Sequence, residues 1–217
     1  MDKLNLKVGL IRVLTTEDRD FLDKHGKILQ ELFPNLQIES RCIPDQPEGI
    51  HDDETEKLAL PKILSLAKEF EESGKDAVFI SCAADPGVIE ARKSLRIPVI
   101  GAGSSCASVA LSLGNKIGVL GITKTAPAVM VEILGKRLVK SVKPKEVDTT
   151  LDLNTSQGKK NALIAAKDLK DSGCDVIALG CTGMTTIDIG KDIEEQVGIK
   201  VVDAVKAAGL ILEYLTL

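Results

Sequence analysis

SGKDAVFISC, residues 73–82, and SGCDVIALGC, residues 172–181, are two versions of one segment. Each begins with Ser-Gly, passes an aspartate, runs through an apolar stretch and stops at a cysteine, Cys82 or Cys181. Short apolar runs bounded by turn residues read as strands buried on both faces. The match extends outward. KVGLI from Lys7 pairs with KIGVL from Lys116, and IPVIGA from Ile97 pairs with IKVVDA from Ile199, in the same order. The period is far longer than the roughly 20–50 residues of a solenoid repeat. Three matched strands in one order therefore predict two copies of a single α/β unit.

Further runs at 36–43 (LQIESRCI) and helical spacing in ETEKLALPKILSLAKEFEESG and GKKNALIAAKDLKDSG complete the pattern. The expected fold is α/β, with two pseudo-symmetric lobes, each a mostly parallel sheet with helices on both faces. The lobes divide as residues 1–113 and 114–217. Pro61 within the first helical stretch predicts a break or fresh start there. Residues 151–160 read as a connector with turn chemistry leading into a helix. The final DAVKAAGLILEYLTL reads as an amphipathic helix.

The 217 residues are 44% hydrophobic with a formal net charge of −4, no Trp, one Tyr and four Phe. That balance disfavours nucleic acid, whose binders use basic faces and stacking rings. No run approaches the length of a membrane span, and the start MDKLNLKVGLIRV lacks the apolar core of a signal peptide. A cytoplasmic location is expected. Five cysteines without a CxxC pair, and only two histidines, His25 and His51, predict neither a disulfide framework nor a metal site. Neither histidine is assigned a role.

Ligands of open α/β sheets bind beyond the carboxyl ends of the strands. Cys82 and Cys181 stand there at equivalent points, so a pseudo-twofold axis sets them on opposite sides of one cleft. A lone free cysteine is usually a small buried hydrophobe, and Cys42 and Cys174 are read so. Cys106, which opens the helix after GAGSS, is ambiguous, though its repeat counterpart carries no thiol. For the matched pair the functional reading is the stronger. Asp85 is expected to cap a helix with Pro86 in its first position, and Thr182-Gly183 to open the equivalent turn. Free N–H groups at such starts lower a thiol's pKa and bind anions. One thiolate can then take a proton from carbon while the opposite thiol delivers another, a reaction needing no cofactor.

These residues resemble the aspartate/glutamate/hydantoin racemase superfamily along nearly the whole chain. ISCAADPG and LGCTGM are closest to its hydantoin racemase branch. The resemblance implies Cys82 and Cys181 as the base and acid pair, and substrate contacts from Ser81, Ala83, Thr123, Thr182 and Gly183. It implies a small anionic or imide-containing substrate, a homo-oligomer, and a last helix, 204–217, that packs back on the first lobe. Glutamate and aspartate racemases typically carry Asn-Thr after the first cysteine and Thr with His or Glu after the second. Ala83-Ala84 and Thr182-Gly183 stand here instead, which weakens the case for acidic amino acids. Hydantoin racemases more often show an Asn-rich turn where this chain has IRVLTTED. Arg12, Thr15 and Thr16 are candidates for an anionic group, with a salt bridge the alternative for Arg12.

Gly101-x-Gly103-x-x-Cys106 has the outline of a dinucleotide fingerprint, but no acid ends the next strand, VLGIT. The glycines are read as a tight turn beneath the cleft. Other readings are a cysteine-dependent relative such as a maleate-type isomerase, and a non-catalytic two-lobed module that closes on a small ligand.

Overall fold

The computed structural model describes residues 5–217. The chain forms β1 (Leu6–Arg12), α1 (Arg19–Leu32), β2 (Leu36–Cys42), α2 (Asp53–Glu72), β3 (Ala77–Ser81), α3 (Val88–Ser94), β4 (Val99–Gly101) and α4 (Ala102–Leu113). The pattern then repeats as β5 (Ile117–Leu120), α5 (Ala128–Leu134), β6 (Leu138–Val142), α6 (Ser156–Asp171), β7 (Val176–Leu179), α7 (Gly183–Thr186), α8 (Ile189–Gln196), β8 (Lys200–Val202) and α9 (Ala204–Tyr214). Both sheets are four-stranded and wholly parallel, ordered β2-β1-β3-β4 and β6-β5-β7-β8. The fold is the expected α/β pair of pseudo-symmetric parallel sheets.

The repeated aspartates explain why both copies start in register. The Asp76 carboxylate accepts from the Lys7 N–H at 2.8 Å, and Asp175 accepts from the N–H groups of Asn115 and Lys116 at 3.0 Å. Each aspartate thus satisfies backbone donors at the start of the neighbouring strand and fixes the pairing there.

Pro61 does not break α2, which runs unbroken through it. The apolar face Ala59, Ile63, Leu66, Ala67 and Phe70 is buried, whereas Pro61 is exposed on the opposite side. An interior proline costs about 3 kcal/mol, and burying several large side chains at about 1.5–3 kcal/mol each offsets it. The strand β6 lies outside the apolar runs that predict strands. Its sequence, LVKSV, is only partly buried at a sheet edge, so it lacks the continuous apolar run of the others.

The helices following the last strand of each sheet lie against the opposite half. In α4, buried Cys106 donates to the carbonyls of Leu179 and Val202, at the ends of β7 and β8. In turn α9 packs on β3, β4, α1 and α4. One core therefore joins both sheets, including Leu10 and Phe79 on one side and Val119 and Ala178 on the other. Two outer cores lie under α2–α3 and under α6–α8.

Candidate active site

In each sheet the chain leaves the first strand to one side and returns on the other, so a crevice opens beyond β1/β3 and beyond β5/β7. Both crevices open into one cavity of about 360 Å³. Cys82 and Cys181 both line it, one from each sheet. The backbone after each cysteine turns in the same way: the Asp85 N–H donates to the Cys82 carbonyl, and the Met184 N–H to the Cys181 carbonyl, both at 3.1 Å.

The turn after Cys82 is held from outside. Asp85 does not cap the helix that follows it, which starts beyond Gly87. Its carboxylate instead accepts from the N–H groups of Gly103 (2.6 Å) and Ser104 (2.9 Å), closing the start of α4. These bonds hold Asp85 at a φ of 55°, which aspartate tolerates better than most residues. The Gly101-x-Gly103 pair is accordingly a packing device. A Cβ on Gly101 would overlap the Asp85 carboxylate, and one on Gly103 the Ala83 carbonyl. With Asp85 seated there, those helix-start donors are taken.

Both thiols are pushed up in pKa, contrary to the sequence expectation. Burial is the main cause and outweighs the backbone donors. Cys82, despite the Ala84 N–H, rises to about 12. Cys181 rises to about 11, held lower by the N–H groups of Gly183 and Met184 and by the cation Arg12. Burial draws the Arg12 guanidinium down to about 10, so it stays charged at neutral pH.

Arg12 makes no salt bridge with any described residue. It is 3% exposed, donates to the carbonyls of Phe21 (2.8 Å) and Leu22 (3.3 Å), and lies 4.9 Å from the Phe21 ring centre. It also lines the cavity. It thus supplies a positive charge to the cleft that no carboxylate neutralises. Arg12→Met is expected to raise the Cys181 pKa further and so reduce its thiolate at any given pH. Alkylation of Cys181 by iodoacetamide, followed by mass spectrometry, should accelerate with pH toward about 11 in the parent and lag behind it at every pH in the variant. Equal rates would show that Arg12 does not act on this sulfur.

Ser81, Ala83, Thr123, Thr182 and Gly183 line the same cavity. Thr15 does not: its hydroxyl donates to the Ile43 carbonyl at 2.7 Å and accepts from the Gln46 N–H. It pins the β1 exit to the loop after β2. The Thr16 hydroxyl accepts from the Asp18 N–H at the start of α1.

Both histidines, to which the sequence alone assigns no role, are part of the site's surroundings. His51 lines the cavity beside Asp52, Asp53 and Glu56, with a buried Nδ1 that has no described partner. His25 is fully buried between Ser81 and Thr186. Its signal was legible: Leu22, His25 and Leu29 share the buried face of α1, an uncommon place for imidazole.

Two parallel sheets meeting at one cleft, with a thiol at the same point of each, define a two-lobed α/β protein with a duplicated strand–cysteine–turn element. The sequence profile of the Asp/Glu/Hydantoin racemase family matches residues 8–209, and the chain belongs to that family of racemases. Over 170 residues it is 24% identical to hydantoin racemase of Rhizobium meliloti, spanning 76% of this chain and 70% of that one. Allantoin racemase from Klebsiella pneumoniae superposes with a TM-score of 0.84 at 21% identity, covering 97% of this chain and 87% of its own. A glutamate racemase from Bacillus anthracis gives 0.69 at 15%, covering 97% and 81%. Among the described residues no helix is long and apolar enough to cross a membrane.

Proposed function

We propose that the protein inverts the carbon stereocentre of a 5-substituted hydantoin or a similar cyclic imide by proton transfer between two thiols, without a cofactor. The observation carrying this reading is the convergence of Cys82 and Cys181 on one cavity from equivalent strand ends. With Cys181 as thiolate, its sulfur takes the ring C–H proton and the electron pair passes into the adjacent carbonyl as an enolate. The Cys82 thiol then delivers its proton to the other face. Cys181 is left protonated and Cys82 as thiolate, the arrangement that accepts the opposite hand. Cys181 is the better resting base, having two N–H donors and Arg12 beside it.

The charge of the cleft supports a neutral ring over an acidic amino acid. Asp52, Asp53 and Glu56 stand on its wall with Arg12 as the one Lys or Arg among the described lining residues. Ala83, Ala84, Ile122 and Ala126 supply apolar surface. A substrate bearing two carboxylates would meet three like charges. An imide presents carbonyls to backbone N–H groups and carries no such penalty.

The test is hydrogen exchange in D2O followed by NMR, with both hands of several 5-substituted hydantoins, Asp, Glu and neutral amino acids. Exchange accompanied by inversion for hydantoins, and none for Asp or Glu, is expected. A protein that exchanges none of the panel is not this enzyme.

A further inference from the structure

His25 makes two hydrogen bonds, one into each cysteine-bearing segment. Nδ1 lies 2.9 Å from the hydroxyl of Ser81, the residue before Cys82. Nε2 lies 2.9 Å from the hydroxyl of Thr186, at the end of α7, the short helix that starts two residues after Cys181. A second bond closes the ring, for the Thr182 hydroxyl donates to the Ser81 carbonyl at 3.2 Å. The segments 81–82 and 181–186 are thereby joined twice, once directly and once through imidazole.

The helix carrying His25 is itself fixed to the cleft. Arg12, at the end of β1 and paired in register with Ser81, binds the carbonyls of Phe21 and Leu22 one turn earlier in α1. Asp18 caps that helix, accepting from the N–H groups of Asp20 and Phe21. Burial and the Arg12 charge hold His25 well below its ordinary pKa, so the ring is neutral. A neutral imidazole has one donor and one acceptor, which matches two hydroxyls able to play either part.

We propose that His25 is the strut that sets the separation of the two sulfurs across the reacting carbon, a positioning residue rather than a proton carrier. This rests on the two-thiol reading above. Two-base inversion needs both sulfurs in place at once, one behind the breaking C–H bond and one facing the opposite lobe of the enolate. Removal of a proton by one aligned thiol needs only that thiol. Loosening the strut therefore uncouples the two events. A proton, exchanged with solvent, returns to the face it left, and exchange proceeds without inversion.

The experiment measures, for one hand of a hydantoin substrate in D2O, the exchange rate by NMR and the inversion rate by circular dichroism. His25→Phe fills the space without hydrogen bonds. Ser81→Ala and Thr186→Val remove one arm each and leave the buried ring in place, so at least one variant stays folded. In all three the ratio of exchange to inversion should rise severalfold over the parent. For His25→Phe, kcat for inversion should fall about 100-fold with KM little changed, the cost of a small misplacement near the chemistry. His25→Gln, with one amide donor and one acceptor, should recover part of the lost ratio. A ratio equal to the parent's in every variant, however low the rates or melting temperatures, overturns the strut while leaving the two-thiol reading intact. A parent that exchanges no substrate overturns both.

Discussion

Cys181→Ala should cut inversion of a single-hand hydantoin by about 10²–10⁴-fold in kcat, since one of two obligatory proton carriers is gone. Cys82→Ala should match it for either hand, because each hand uses both sulfurs in opposite order. The double variant should be no slower than the singles, as residues acting as a unit are not additive. Cys174→Ala is the control: that thiol lies in the outer core under α6, away from the cavity. Circular dichroism over time reads all four. Inversion surviving within about tenfold in either single variant would exclude a two-base reaction, since a single transfer step contributes more than that.

Gly103→Ala should damage the site from outside the cavity. The new Cβ would overlap the Ala83 carbonyl and crowd the Asp85 carboxylate that closes α4. Both are backbone or tightly bonded groups, so neither yields easily. Destabilisation of about 2–4 kcal/mol is expected, from overpacking joined to a weakened cap. The displaced loop also carries the Ala84 N–H that faces Cys82, so kcat should fall in the protein that remains folded. Urea denaturation gives the first quantity and turnover at a temperature below the transition gives the second. A midpoint within experimental error of the parent's would mean that the 83–85 loop is looser than its bonding implies.

The duplicated segment carried the fold because parallel strands buried on both faces must be written in apolar residues, as 77–80 and 176–179 are. The edge strand β6 is not legible for the opposite reason: with Lys140 and Ser141 in its middle, it resembles a loop. The two cysteines were legible as a pair only through the repeat. What sequence alone did not yield was long-range bonding. Asp85 reads as a cap for the next helix in sequence, and the structure gives it to α4 instead. Thr15 reads as an anion ligand, and its hydroxyl is bound to the backbone around Ile43 and Gln46. The thiol pKa values went the same way, because helix-start donors are local while burial depends on the whole assembled cleft.

The exchange of α4 and α9 between halves bears on how the protein is made. Ribosomes release the first sheet long before α9, yet α9 covers β3, β4 and α1, with Gly209 letting it lie close against Leu29 and Phe33. In the same interval α4 has no β7 or β8 to rest on. Neither half can finish during synthesis, as domains ordinarily do in sequence. The nascent chain must carry an uncovered apolar face until α9 emerges, because the residues of β3, β4 and α1 that α9 covers belong to the core both sheets share.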